Sequence, residues 1–319
     1  MDTLAGNSEH SFLNTRKPWL DCARGLAVIA MVIYHFAWDL SFFSLIATDV
    51  NTSAFWRGLA RLIAGSFLFL SGISLYLAHK NGLLWLRFLR RFGIIAGAAA
   101  LVTLVTWYQF PDSYIFFGIL HCIALSSVIG LIFVRVHYAF TFIAALVAFA
   151  LPYMFTNTFF DVPILAFIGL RTLPIRTNDF VPLMPWIAPM LAGIALAQVA
   201  QNFDLKFVVN IPKLLIKPLS FLGRYSLIIY LIHQPILFEL TGFISGMKTK
   251  KLDEITSSFI SACEQSCTAQ GREKQTCVET CFCTVDGLKA TGTWAKLSTT
   301  MPDDAMRAEI AKTAQVCSR

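Results

Sequence analysis

Up to about residue 245 the chain alternates long apolar runs with short polar stretches, and after that it turns polar. A helix that crosses a bilayer needs about 20 mostly apolar residues. Runs near 20–46, 56–78, 92–110, 114–134, 138–155, 182–200 and 219–243 come close to that length or reach it. They predict an all-α fold, a polytopic transmembrane helical bundle of about seven spans. Residues 1–18 form a polar cytoplasmic segment, 19–245 the membrane domain and 246–319 a small helical appendage rich in cysteine. The first apolar run is long enough to act as an uncleaved anchor.

Composition supports a lipid solvent. The 319 residues are 56% hydrophobic and 14% charged, where soluble domains carry about 25% charged residues. The net charge of +7 does not signal nucleic acid, because no polar domain clusters its bases with aromatics. The bases lie instead in alternate loops. Arg16, Lys17 and Arg24 flank the first run, and Lys80, Arg87, Arg90 and Arg91 follow the second. Arg135 follows the fourth run, and Lys206, Lys213, Lys217 and Arg224 precede the seventh. Lysine and arginine mark cytoplasmic loops. The opposite loops carry Asp49, Asp112, Asp161 and Asp179 with fewer bases. An odd number of spans then places the N-terminus in the cytosol and the tail outside. Topology alone accounts for most of these bases. The functional alternative is a phosphorylated ligand gripped by Arg87, Arg90, Arg91 or Arg224.

The cysteines test the orientation independently, since disulfides persist in oxidising compartments. Cys22 and Cys122 lie in apolar runs and read as small buried fillers. Cys263, Cys267, Cys277, Cys281, Cys283 and Cys317 crowd the tail. Two C-x3-C pairs each put both thiols on one helix face. An antiparallel hairpin turning near Gly271 would join Cys263 to Cys281 and Cys267 to Cys277, leaving Cys283 for Cys317. A zinc site is the rival; the charge pattern favours disulfides.

Ionisable residues inside spans are costly and point to function. With a rise of ~1.5 Å per residue, His35 lies ~13 Å below the outer surface, His121 ~10 Å and His233 ~15 Å. Asp39 is one turn from His35 on the same face, and Arg57 and Arg61 open the second run. Three helices thus bring imidazoles to one layer of the outer leaflet. Hydrogen bonding between helices is the plain explanation for a single histidine. General acid–base chemistry, or metal binding, suits the set. No two of these histidines share an H-x3-H helix, which weakens the metal reading.

Four segments carry a resemblance. They are DCARGLA at 21–27 through YHFAWD at 34–39, FFGILHCIA at 116–124, VPLMPW at 181–186 and LGRYSLIIYLIHQP at 222–235. Together they resemble the bacterial branch of the heparan-alpha-glucosaminide N-acetyltransferase catalytic-domain family, over about residues 15–243. The resemblance implies an acyltransferase of the bacterial inner membrane. It implies acetyl-CoA held from the cytosol, near Arg24, Arg90, Arg91 and Arg224, and no metal. It implies a hydroxyl or amine acceptor on a cell-surface or lipid-linked glycan outside, near Arg57, Arg61, Trp186 and Gln234, and it is compatible with a homodimer. His35 matches the first-helix histidine implicated in catalysis in the wider acyltransferase group; His121, Arg224, His233 and Gln234 match recurring motif positions. Lysosomal members use a histidine in the first luminal loop, and residues 42–55 hold none here. The expected mechanism has His35, oriented by Asp39, as base, with His121 or His233 stabilising the oxyanion or protonating the thiolate. The coenzyme's pantetheine arm, ~15–20 Å long, spans the distance from a basic mouth to that layer.

Other classes fit the same residues. A transporter or proton relay would use the histidine layer without acyl transfer. A metal or haem protein would use the imidazoles as ligands, and a scaffold would use the tail.

Overall fold

The computed structural model describes residues 18–175, 177–205, 212–294 and 303–318, the side chains of 213 and 248–254 excepted. The described part is helical, and its one β contact is an isolated parallel bridge between Phe117 and Phe180. In chain order the helices are α1 (Pro18–Phe42), α2 (Ala54–His79), α3 (Trp85–Gln109), α4 (Ile119–Phe133) and α5 (Tyr138–Met154). Then come α6 (Leu183–Asn202), α7 (Lys213–Arg224), α8 (Ser226–Ala269), α9 (Lys274–Ala290) and α10 (Asp304–Cys317). Two 3-10 turns, Thr158–Asp161 and Pro163–Ile168, fill the connection from α5 to α6.

The apolar runs become helices near where they were expected, with shifted bounds. The helix expected from about 92 begins at Trp85, and the one expected from about 114 begins at Ile119. Residues 213–224 form a separate amphipathic helix, and the last apolar stretch begins at Ser226. The α1, α2, α3 and α6 helices and the Ser226–Met247 part of α8 are each long and apolar enough to cross a membrane; α4 and α5 are shorter apolar helices. The protein is therefore an all-helical integral membrane protein. The chain divides into two compact units, one ending at Leu237 and the other running from Phe238 to Arg319.

In the first unit α6 is the central packing helix, with Met190 and Ile194 fully buried. Glycines allow its close approach to α2. A Cβ on Gly72 would overlap the Met190 carbonyl, and one on Gly193 would overlap the Phe69 carbonyl. Small residues are what permit such backbone contact where lipid offers no hydrophobic drive. The α1–α7 contact repeats the device: side chains at Gly25 or Gly223 would strike the Leu219 or Asp21 carbonyls. Gly223 thereby seats the next residue, Arg224, beside α1. Gln198 of α6 donates from Nε2 to the carbonyls of Phe133 and Val136 at 2.9 and 2.7 Å, satisfying the C-terminal end of α4.

The second unit has a small core of Val285, Leu288 and Trp294, with Ile255, Phe259, Ile260 and Ile310 packed on it. Disulfides join Cys263 to Cys281, Cys267 to Cys277 and Cys283 to Cys317. This is the pairing that the hairpin spacing predicts. Gly271 turns the hairpin in a left-handed conformation, φ 80°, which glycine adopts without strain.

Candidate active site

A cavity of about 490 Å³ opens within the first unit, and five helices besides α2 reach it. Its polar part is made by Asp21 and Arg24 of α1, Arg87, Arg90 and Arg91 of α3, and Arg224 of α7. The α3 residues stand at i, i+3 and i+4 and so share a face. Five guanidinium groups thus meet one carboxylate. Asp21 holds Arg24 at 3.5 Å, and Arg24 also donates to Ser74 of α2. The same face of α3 continues as Ile94 and Ile95. With Ile119, Leu120 and Ile123 of α4 and Leu227 of α8 these residues make an apolar part of the cavity. An anion at one end and a less polar chain at the other would suit this lining.

Tyr230 lines the cavity and belongs also to the histidine region, one turn before His233 on α8. The two rings lie 5.9 Å apart. The His233 Nδ1–H donates to the Tyr230 carbonyl at 2.8 Å and approaches that of Ile229 at 3.1 Å. Those bonds fix the tautomer and leave Nε2 with its lone pair. That nitrogen is buried and has no hydrogen-bond partner among the described residues. The His35 ring of α1 stands across from it, centroid to centroid 4.9 Å. Tyr34 packs edge-on against His35 at 5.4 Å and faces Trp56 of α2 at 6.3 Å.

The structure brings together some of the expected residues and separates others. Asp39 is wholly buried, and its Oδ1 accepts from Gln234 Nε2 at 2.7 Å. Gln234, and not His35, is the hydrogen-bond partner of Asp39 among the described residues. Its Oδ2 and Gln234 Oε1 are also without partners there. His121 is committed elsewhere. Its Nδ1 accepts from the Gly118 N–H at 3.2 Å, and its Nε2–H donates to Thr103 Oγ1 at 3.2 Å. That hydroxyl passes its own proton to the Ile115 carbonyl at 2.7 Å. His121 therefore caps the start of α4. Arg57 and Arg61 are exposed on the first turns of α2, and Trp186 packs against the main apolar core. Arg24, Arg90, Arg91 and Arg224 all line the cavity.

Some cavity residues escape a reading of spacing and depth. Arg87 does not, since it shares the face of Arg90 and Arg91 and is a candidate for a phosphorylated ligand. Asp21, Ser71 and Tyr230 carry no such signal. No group of three or more histidine, cysteine or acidic residues arranged to hold a metal occurs among the described residues.

No curated protein and no solved structure gives a significant match to the chain. Residues 16–235 match the family described as heparan-alpha-glucosaminide N-acetyltransferase, catalytic. That stretch holds the arginine cavity, the Tyr230 junction and the histidine pair, and the chain belongs to this family of membrane acetyltransferases.

Proposed function

We propose that the protein transfers an acetyl group from cytosolic acetyl-CoA to a hydroxyl or amine of a sugar-containing acceptor on the far side of a bacterial inner membrane. The observation that carries this reading is Tyr230, which lines the arginine cavity and touches His233. The coenzyme's phosphates suit Arg24, Arg87, Arg90, Arg91 and Arg224, which grip phosphate in bidentate fashion. Its pantetheine arm suits the apolar lining. The cavity falls on the side where lysine and arginine crowd the loops, the side expected to face the cytosol. The same rule puts the cysteine-rich tail outside.

In this mechanism His233 Nε2 takes the proton of the acceptor, because its lone pair is fixed, buried and unpartnered. The acceptor oxygen or nitrogen attacks the thioester carbonyl, a new C–O or C–N bond forms and the C–S bond breaks. The His35 N–H stabilises the oxyanion, and as the C–S bond breaks the proton held on His233 passes by way of His35 to the departing thiolate, so that both rings end neutral. Asp39 and Gln234 form a buried pair that holds α1 against α8, so that the rings stay in register. His121 acts by holding the first turn of α4 at the cavity wall. Arg57 and Arg61, exposed at the outer end of α2, meet an anionic acceptor.

The test uses purified full-length protein in nanodiscs, with isotope-labelled acetyl-CoA and glucosamine as the probe acceptor. Mass spectrometry reads labelled N-acetylglucosamine. Product that disappears in His233→Ala supports the reading. Product at an undiminished rate in that variant rejects His233 as the base.

A further inference from the structure

Tryptophan stands near the ends of several membrane helices, and one of these rings is turned the wrong way for a lipid anchor. Aromatic side chains at a bilayer interface face the headgroups. Trp85 and Trp107, at the two ends of α3, are 60% and 59% exposed and fit that use. So does Phe55, in the first turn of α2 and 70% exposed. The next residue, Trp56, is half-buried. Its ring packs edge-on to Phe55 at 5.3 Å and turns toward α1, where it meets Tyr34 at 6.3 Å.

Helical spacing explains the turn. Trp56, Leu59, Ile63 and Phe67 recur at i, i+3, i+7 and i+11 and share one face of α2. Leu59, Ile63 and Phe67 belong to one apolar cluster with Tyr34 of α1 and Tyr230 of α8. Phe67 also lines the arginine cavity, about 16 Å along the helix axis from Trp56. One face of α2 thus runs from the cavity to the end of the helix that the loop charges predict to lie outside, and Trp56 is its last ring. From Trp56 the rings continue inward. Tyr34 stands edge-on to His35 at 5.4 Å, and His35 faces His233 at 4.9 Å. Trp38, one turn beyond Tyr34 on α1, is committed elsewhere. Its Nε1–H donates to Asn51 Oδ1 at 3.1 Å, and its ring stacks on Phe42 at 5.2 Å. Trp186, expected from the sequence at the acceptor site, packs on the main apolar core. Among these tryptophans it is Trp56 that stands at the entrance to the histidine pair.

A pyranose carries its hydroxyls around its rim and C–H bonds on its faces. Those C–H bonds, polarised by the neighbouring oxygens, suit the negative face of an aromatic ring. We propose that Trp56 is the acceptor platform: its indole binds one face of the acceptor's pyranose ring, and Tyr34 beside it directs the ring's hydroxyl or amine toward the His35–His233 pair. The proposal rests on the acyltransferase reading above and deepens it, because it names what is recognised in the acceptor, a sugar ring and not a nucleophile alone.

Two measurements on the full chain in nanodiscs test it. The first compares glucosamine with 2-aminoethanol, which offers an amine and a hydroxyl without a ring. Trp56→Met keeps an apolar side chain against α1 and removes the aromatic face. It lowers the preference for glucosamine, read as the ratio of the two kcat/KM values, by about 10- to 50-fold, the range for loss of a stacking ring. The KM for acetyl-CoA stays within about 2-fold, and Trp56→Tyr restores part of the preference. An unchanged ratio overturns the proposal, since Trp56 would then serve helix packing or anchoring. The second measurement needs neither turnover nor a disruptive variant. The protein is labelled with 5-fluorotryptophan, and the fluorine signal of Trp56 is assigned by its absence from Trp56→Tyr. Glucosamine without acetyl-CoA shifts that signal, and 2-aminoethanol does not. A Trp56 signal that glucosamine leaves in place, or that both amines shift alike, overturns the proposal. A parent protein that transfers no acetyl group fails the acyltransferase reading instead, and the fluorine signal still decides the role of Trp56.

Discussion

The two units solve the problem of holding helices together in opposite ways. The second unit has a small apolar core, and three disulfides cross it. Small domains that cannot bury enough apolar surface use such covalent links. The first unit packs helix backbones at glycines and covers its exterior with exposed Leu, Ile and Phe, as a lipid solvent allows. The units differ most in polar satisfaction. All buried side-chain atoms without partners among the described residues lie in the first unit, and three of them belong to Asp39, His233 and Gln234. Unsatisfied buried groups are rare in native proteins and call for an explanation. Here they gather where α1 meets α8, beside the His35 ring. The difference teaches that covalent links close the second unit, whereas the first tolerates unpaired buried polar atoms, three of five of them at the place where the proposed chemistry needs a free lone pair.

The largest effect expected from that contrast falls on His233. His233→Ala removes the fixed lone pair and lowers kcat for acetyl transfer by about 10²- to 10⁴-fold, the range for loss of a general base. It also loses the Nδ1–H bond to the Tyr230 carbonyl and the packing of a buried ring, at a cost of about 1–3 kcal/mol in stability, whereas Nε2 gives up no hydrogen bond among the described residues. A variant that is folded at the assay temperature and keeps the parental kcat would remove the contrast, since the imidazole would then serve structure.

Next in size are the cavity arginines. Arg90→Ala or Arg91→Ala raises the KM for acetyl-CoA by about 10- to 100-fold, because a charge-assisted hydrogen bond is worth about 1.5–3 kcal/mol. The kcat changes little, and added salt narrows the difference from the parent protein. An unchanged KM at low salt would relegate these bases to topology. The second unit supplies the mirror experiment. Cys263→Ser with Cys281→Ser opens a link of sequence separation 18, at a cost of about 3 kcal/mol to that unit. Proteolysis at Arg272 or Lys274 accelerates, while the transfer rate stays within 2-fold. A collapse of transfer would mean that the tail is part of the catalytic machinery.

How much of this was legible in the sequence follows from the range of each interaction. Spans, basic loops and paired cysteines are local patterns, and the helices, the arginine cavity and the disulfides follow them closely. The cysteine pairing was readable because a helical hairpin has few ways to close. The expectation that His35 and His233 lie near each other agrees with their rings, 4.9 Å apart. The direction of each ring was not readable. The segment before α4 turns the His121 ring toward Gly118 and Thr103. The partner of Asp39 lies 195 residues away on α8, so helical spacing pointed to His35 instead. The α7–α8 break at Tyr225 was hidden because apolar residues continue on both sides of it. The Asp179 side chain was expected only as a loop acid; that its Oδ2 accepts from the Ile119 N–H at the start of α4 was hidden, because a loop folded back onto a helix N-terminus has no periodic signature.

The smallest effect is expected at Asp39, and it tests whether the unsatisfied atoms act separately. Gln234 Nε2 donates to Asp39 Oδ1, and Oδ2 faces no donor. Asp39→Asn keeps an oxygen for Gln234 and replaces the unpartnered oxygen by an NH2 group. In a buried site this exchange removes a charge that costs desolvation and adds two donors, and the two changes oppose each other. The bond to Gln234 changes from charge-assisted to neutral-to-neutral and weakens by about 1 kcal/mol. Transfer therefore falls by no more than about 5-fold, with the donor KM unchanged. Asp39→Ala removes the acceptor as well and leaves Gln234 wholly unpaired, so it destabilises the fold by about 1–3 kcal/mol. If Asp39→Asn instead matched the loss seen in His233→Ala, the carboxylate charge itself would be required for proton transfer. The α1–α8 contact would then be a single coupled titrating unit, and the base could no longer be assigned to His233 alone.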